Sequence, residues 1–167
     1  LIILLMLGGM DVFDSICHAF ATTGTGGFST KQASIEFYHS PYIEYVISIF
    51  MFVSGINFTL LLLFVNGKFR KFIHDAELKW YLWSVIGFTA FIAIVLYYNS
   101  SMGVEEAFRK SLFQVASLHT STGFATADYM TWPSVLWGTL TVIMIIGACA
   151  GSTTGGMKCI RLLILAK

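Results

Sequence analysis

Apolar and polar positions follow one another along this chain in long blocks. Residues 1–7 are wholly apolar and read as the end of a membrane helix. Residues 11–23 mix polar and apolar positions at helical spacing. They predict a helix too short to cross a bilayer, which takes about 20 residues. Polar residues then cover 22–40. Residues 42–65 form an apolar run that predicts a spanning helix, with Glu44 near one end, where a charge can reach the interface. A charged hairpin follows at 66–79. Residues 80–98 predict a second span, with Trp80, Tyr81 and Trp83 at one end and Tyr97 and Tyr98 at the other, as interfacial aromatic belts require. The turn at 97–101 leads to a second short helix over 103–119. Residues 132–146 are apolar again, the chain breaks at 147–156, and 157–166 resume with Lys158 and Arg161 embedded.

The order of short helix, polar loop and long apolar run occurs twice. Gly27-Phe28-Ser29-Thr30 matches Gly123-Phe124-Ala125-Thr126 at a shift of 96, and Ser15 matches Ser111 at the same shift. After the loops the shift becomes 92, pairing Pro41 with Pro133 and Gly55 with Gly147. Repeats of this size mark structural units that assemble together. The expected organisation is one unit over 1–65 (short helix 11–23, loop 25–29, span 42–65), the hairpin 66–79, and a second unit over 80–167 (span 80–98, short helix 103–119, loop 121–125, broken helix 132–167). The first unit lacks most of its leading helix, and the chain reads as an interior fragment of a larger protein. The fold class is an all-α membrane protein built from helix–pore-loop–helix repeats.

Composition sharpens this picture. Of 167 residues, 56% are hydrophobic and 11% charged, against about 25% charged in soluble domains. Mean hydropathy is +0.76. Cys17, Cys149 and Cys159 show no metal-ligand or disulfide-framework spacing. Charge distribution orients the chain. The hairpin residues Lys68, Arg70, Lys71 and Lys79 against Asp75 and Glu77, with Lys158, Arg161 and Lys167 on the same side, leave +5. The opposite side carries Asp11, Asp14, Glu36, Glu44, Glu105, Glu106 and Asp128 against Lys31, Arg109 and Lys110, leaving −4. The positive-inside rule makes the hairpin cytoplasmic, so the loops enter from outside beneath an acidic mouth that concentrates cations.

A glycine-containing loop of carbonyls and hydroxyls at membrane depth is costly unless it lines a cavity. A cation shedding its water needs such a ring of oxygens. Thr25, Gly26 and Gly27 in the first loop and Ser121, Thr122 and Gly123 in the second meet that need. Phe28 and Phe124 are expected to wedge the loops against surrounding helices. An ordinary surface loop is the alternative, and the repetition argues against it. His18 and His119 flank the loops. They are packed imidazoles or, in a second functional reading, part of a membrane-embedded enzyme with nearby carboxylates. They do not occupy equivalent repeat positions.

Residues Gly151, Ser152, Thr153, Thr154, Gly155 and Gly156 are poor helix formers. A phosphate loop is excluded because Lys158 is neither preceded by Gly nor followed by Ser or Thr. Two readings stand: a broken helix lining the pore beneath the loops, or a small-residue packing ladder at Gly147, Gly151 and Gly155. Lys158 either bonds carbonyls of this segment or snorkels to the cytoplasm. Asn57, within Ser54-Gly55-Ile56-Asn57, either bonds a neighbour at membrane depth or marks a packing notch.

These motifs resemble the Trk/Ktr/HKT superfamily of potassium uptake proteins, closest to the bacterial Trk type. The match runs through Cys17-His18-Ala19-Phe20, Gly26-Gly27-Phe28-Ser29-Thr30, Ser54-Gly55-Ile56-Asn57, Thr122-Gly123-Phe124 and, most specifically, residues 147–158. The resemblance implies four pore-loop repeats in pseudo-fourfold array, of which this chain carries most of the second and all of the third. It implies filter strands at Thr25, Gly26, Gly27 and at Ser121, Thr122, Gly123, and a gate at 151–156, with K⁺ as cargo, no cofactor, and Na⁺ or H⁺ as candidate coupling ions. Asn57 and Lys158 are gate or pore-lining candidates. The implied setting is the bacterial inner membrane. The implied partners are the lipid bilayer, a second copy in a homodimer and a cytosolic nucleotide-binding regulatory subunit, with no nucleic acid.

Overall fold

The structure, a computed structural model, describes residues 1–100 and 102–165. Ser101, Ala166 and Lys167, expected in a turn and at the end of the last helix, lie outside the described residues. The first unit comprises α1 (Ile2–Leu7), α2 (Val12–Thr23), a 3₁₀ turn at Ser34–Tyr38, α3 (Pro41–Ser54) and α4 (Phe58–Val65). A short α5 (Phe69–His74) leads into α6 (Ala76–Asn99), α7 (Val104–His119), a 3₁₀ turn at Tyr129–Thr131 and α8 (Ser134–Ile145). Two-residue strands β1 (Ile146–Gly147) and β2 (Met157–Lys158) pair in parallel and flank the loop 151–156, and α9 (Cys159–Leu165) follows.

Local chemistry sets the helix starts. Asp11 caps α2 by accepting from the Phe13 N–H at 3.3 Å, and Pro41 opens α3, where its missing N–H is no loss. Asp75 caps α6 through Leu78 N–H at 2.9 Å. The second span therefore begins four residues before Trp80, and Glu77 and Lys79 belong to its first turn rather than to a free hairpin. Of the described helices, α6 alone is long and apolar enough to cross a membrane unbroken.

The expected continuous span over 42–65 is instead two helices, α3 and α4, bent by 102°. The cause lies in residues 54–57. Gly55 ends α3, and the Asn57 side chain accepts from Thr59 N–H at 2.8 Å, starting a new helix in a new direction. The broken helix over 132–167 has its break at 146–158, at the repeat-equivalent place.

Core packing ignores the sequence boundary between the units. One cluster joins Ile56 and Leu60 of the first unit to Tyr81, Val85, Leu136, Leu140 and Ile143 of the second. The other joins Leu5, Ile43, Ile47 and Met51 to Phe113, Ala116 and Phe124. A buried ion pair, Arg109 to Glu44 at 2.6 Å, also ties α7 to α3.

Candidate pore-loop site

The two loops have the same backbone. After α2, Gly24 N–H donates to Phe20 O, Thr25 N–H to Thr22 O and Gly26 N–H to Ala21 O. After α7, Thr120 N–H donates to Ala116 O, Ser121 N–H to Leu118 O and Thr122 N–H to Ser117 O, each at a shift of 96. This is a Schellman-type helix ending, which needs a left-handed residue after the cap, usually Gly. Here that residue is Thr25, at φ 50°, and Ser121, at φ 55°. A β-branched residue in that region is strained, and such strain concentrates at functional sites. Two residues on, Gly27 and Gly123 again take positive φ, 65° and 87°.

The loops meet. A Cβ on Gly27 would overlap the Thr122 carbonyl, so the first loop closes against the backbone of the second. A Cβ on Gly123 would meet nothing within 4 Å. Phe124 does wedge its loop, at 1% exposure, with its ring 5.8 Å from that of His18. Phe28, expected to do the same, is 82% exposed. Phe124 finds the first unit to pack on, whereas no described element lies over Phe28.

Loop 151–156 runs against the base of both pore loops. Thr25 Oγ1, whose nearest acceptor is the Gly24 carbonyl at 2.8 Å, also lies 3.1 Å from the Thr153 carbonyl, and a Cβ on Gly155 would lie 3.4 Å from Ser121 Oγ. Thr153 Oγ1 in turn lies within reach of the Thr23 and Ser54 carbonyls. The two helix breaks are hydrogen-bonded to each other: Cys149 N–H donates to Gly55 O and Phe58 N–H to Gly151 O, both at 3.1 Å. Asn57 serves as the α4 cap and lines this seam, 3.2 Å from where a Gly151 Cβ would be. Lys158 does not snorkel. Its Nζ donates to the Thr154 carbonyl and, at 2.9 Å, to Thr154 Oγ1. Ser152 Oγ donates to Cys149 O and lies 2.8 Å from Thr154 Oγ1.

Three groups support the loops in ways that the sequence pattern does not show. Glu77 is buried at the start of α6 and accepts the Ala150 N–H at 2.6 Å. Asp14 holds the segment leaving the first loop: Tyr38 Oη and Thr30 Oγ1 each donate to it at 2.7 Å, and Lys31 pairs with it at 3.3 Å. The Tyr38 hydroxyl above all, then Thr30 and Lys31, keep the Asp14 carboxyl below its usual range. Burial, with that carboxylate, pushes the Tyr38 phenol up to about 12, so it remains a donor. Thirdly, His18 Nδ1–H donates to Asp14 O at 2.7 Å. Its Nε2 therefore accepts from Ser29 Oγ at 2.9 Å and fixes the loop to α2. An acid on a pore helix, sixteen residues before a threonine, gave no signal of this clamp in the sequence.

The two histidines do not converge. In the second unit, the Ser84 hydroxyl donates to Tyr81 O, so His119 Nε2–H donates to Ser84 Oγ at 2.7 Å. Each imidazole is buried and hydrogen-bonded within its own unit, and no cluster of three His, Cys, Asp or Glu is placed to hold a metal among the described residues. The acidic mouth is also weaker than its residue count. Asp14, Glu44, Glu105 and Glu106 are ion-paired to Lys31, Arg109 and Lys110.

The TrkH family, described as cation transport protein, matches residues 5–167. The chain is 38% identical, over 98% of its length, to the Trk system potassium uptake protein TrkH of Escherichia coli K12, and covers 34% of that protein. It is 36% identical over 97% of its length to the TrkH of Halomonas elongata, again covering 34%. Its fold superimposes on the crystal structure of the potassium transporter TrkH from Vibrio parahaemolyticus with a TM-score of 0.93, at 35% identity, covering 99% of this chain and 36% of that one. The chain spans about a third of the length of the curated relatives it matches. On the family match and the shared all-α architecture, this chain belongs to the TrkH family of cation transport proteins and is a membrane protein.

Proposed function

We propose that this chain supplies two adjacent filter strands and the gate of a pore that takes up K⁺. The observation that carries the reading is the matched strained backbone. Two loops hold left-handed turns at Thr25 and Ser121 and positive φ at Gly27 and Gly123, and they close on each other at Gly27 and Thr122. Carbonyls of Thr25, Gly26, Gly27, Ser121, Thr122 and Gly123 replace the ion's hydration shell in this reading. Residues 151–156 form the gate, since they touch Thr25 and Ser121 from below and are held closed by Lys158 and by the seam at Asn57. An unwound segment at that depth must face protein or water, and the cavity beneath a filter supplies the water. The membrane potential drives the ion inward, with Na⁺ or H⁺ as candidate coupling ions. Family membership supports a homodimer with a cytosolic nucleotide-binding regulatory subunit. The charge split supports a cytoplasmic 66–79 segment and loops entered from outside, across the bacterial inner membrane.

Rb⁺ uptake by the full-length protein in cells deficient in potassium uptake tests the filter. Gly123→Ser relaxes discrimination against Na⁺ or abolishes uptake, and unchanged Rb⁺ uptake with unchanged Na⁺ competition refutes the assignment. Deleting 151–156 raises flux while the filter still discriminates Na⁺. A deletion variant that inserts and conducts no faster than the parent removes the gate. Single cysteines at Lys71 and Ser34, in a background lacking the native three, test orientation. Labelling of position 71 from outside intact cells by an impermeant thiol reagent overturns it.

A further inference from the structure

We propose that Glu77 is the positioning residue that latches the gate loop in its closed place, an inference that rests on the reading of 151–156 as the gate. Glu77 is 7% exposed and stands in the first turn of α6, two residues after the Asp75 cap. Its Oε1 accepts the N–H of Ala150, the residue immediately before the loop. A buried carboxylate must have its charge met by donors, and a charge-assisted bond to a backbone N–H is among the stronger ones available. The acceptor is a side chain on a rigid helix, and among the described residues the donor is the one backbone group through which the loop's leading end is held from the second unit's own span. Its flanking contacts, Cys149 N–H to Gly55 O and Phe58 N–H to Gly151 O, reach the first unit instead. The trailing end is held separately, by Lys158 on Thr154 and by the Gly147–Lys158 register. Releasing Glu77 therefore removes the tether of the loop's leading end to α6 and leaves it held by the two bonds to the first unit, while the filter strands, which Glu77 does not touch, keep their geometry. Upstream of Glu77 lies the exposed basic segment with Lys68, Arg70 and Lys71, so any force that shifts that segment is delivered to α6 beside the latch.

Flux assays on the full-length protein, normalised to the amount in the membrane, test this. Glu77→Ala raises Rb⁺ flux roughly ten- to a hundredfold, the size expected for losing a hydrogen bond to a charged group, with Na⁺ discrimination unchanged. Glu77→Gln keeps an acceptor for Ala150 N–H and stays near the parent. In the background lacking 151–156, Glu77→Ala adds nothing, because the element it holds is gone. Three results overturn the latch: lower flux and a lower melting temperature in Glu77→Ala with no gain at any temperature, an equal gain in the deletion background, or no gain in Glu77→Ala beside a deletion that does raise flux. A deletion that leaves flux unchanged instead removes the gate reading on which the latch depends.

Discussion

The first and second pore loops share a backbone and differ in almost everything that holds it. The helix endings, the left-handed Thr25 and Ser121 and the positive φ of Gly27 and Gly123 coincide. Behind the first loop stands a polar clamp, with Asp14 binding Tyr38, Thr30 and Lys31 and His18 binding Ser29. At the corresponding positions the second unit has Lys110 for Asp14, Gln114 for His18 and Ala125 for Ser29. It holds its loop by Ser117 Oγ donating to the Phe124 carbonyl at 2.6 Å and by burying the Phe124 ring. One conformation is thus fixed by charge-assisted hydrogen bonds in one unit and by packing in the other. The two units share the backbone geometry and reach it with different supporting side chains.

The largest expected effect lies at the glycines. Gly27→Ala drives a methyl into the Thr122 carbonyl and strains φ, and abolishes Rb⁺ uptake in the full-length protein. Gly123→Ala meets only the φ cost, about 1–2 kcal/mol, and keeps measurable uptake with weakened Na⁺ discrimination. Equal loss at both positions breaks the comparison and places another backbone against Gly123.

Next come the aromatics. Phe124→Ala removes a fully buried ring and destabilises by about 3–5 kcal/mol, read as a fall in the melting temperature of the purified protein. Phe28→Ala, at an exposed site, stays within about 0.5 kcal/mol. A Phe28 loss as large as that of Phe124 shows that a further part of the protein covers it.

The clamp gives a smaller effect. Asp14→Ala leaves the Tyr38 and Thr30 hydroxyls without their acceptor and lowers K⁺-over-Na⁺ discrimination roughly three- to tenfold. Lys110→Ala, the corresponding change in the second unit, removes only a pair with Glu106 and changes discrimination little. If both variants behave alike, the two loops do not differ in their support.

The smallest effect is with pH. Because Asp14 lies below its usual range in the folded protein, its contribution is complete above the unfolded carboxylate value of about 3.9. It is lost only as pH falls through the lower folded value. Discrimination measured with external pH stepped from neutral to about 5 is therefore flat as far as this group is concerned. A drop within that window that Asp14→Ala abolishes shows the carboxyl titrating higher than its partners imply.

Sequence by itself determined the repeat, the short pore helices, the residues of both loops and the break at 147–156. Each of these is written in local terms: helical period, glycine and hydroxyl content, and a fixed shift between copies. It also placed Gly55 opposite Gly147 in register, the signal from which a full break at 55–57 was legible, although the apolar run around it read as one helix. Only the tertiary structure decided that Asn57 caps a new helix turned by 102°, that the two breaks bond to each other, that Phe124 is buried and Phe28 is not, and that Glu77 and Asp14 hold backbone rather than line a charged mouth. The physical reason is distance along the chain. A helix cap or a turn is fixed by neighbours a few residues away, whereas the partner of a buried carboxylate or ring lies many tens of residues off, as Glu77 and Ala150 do, and is chosen by how the two units pack.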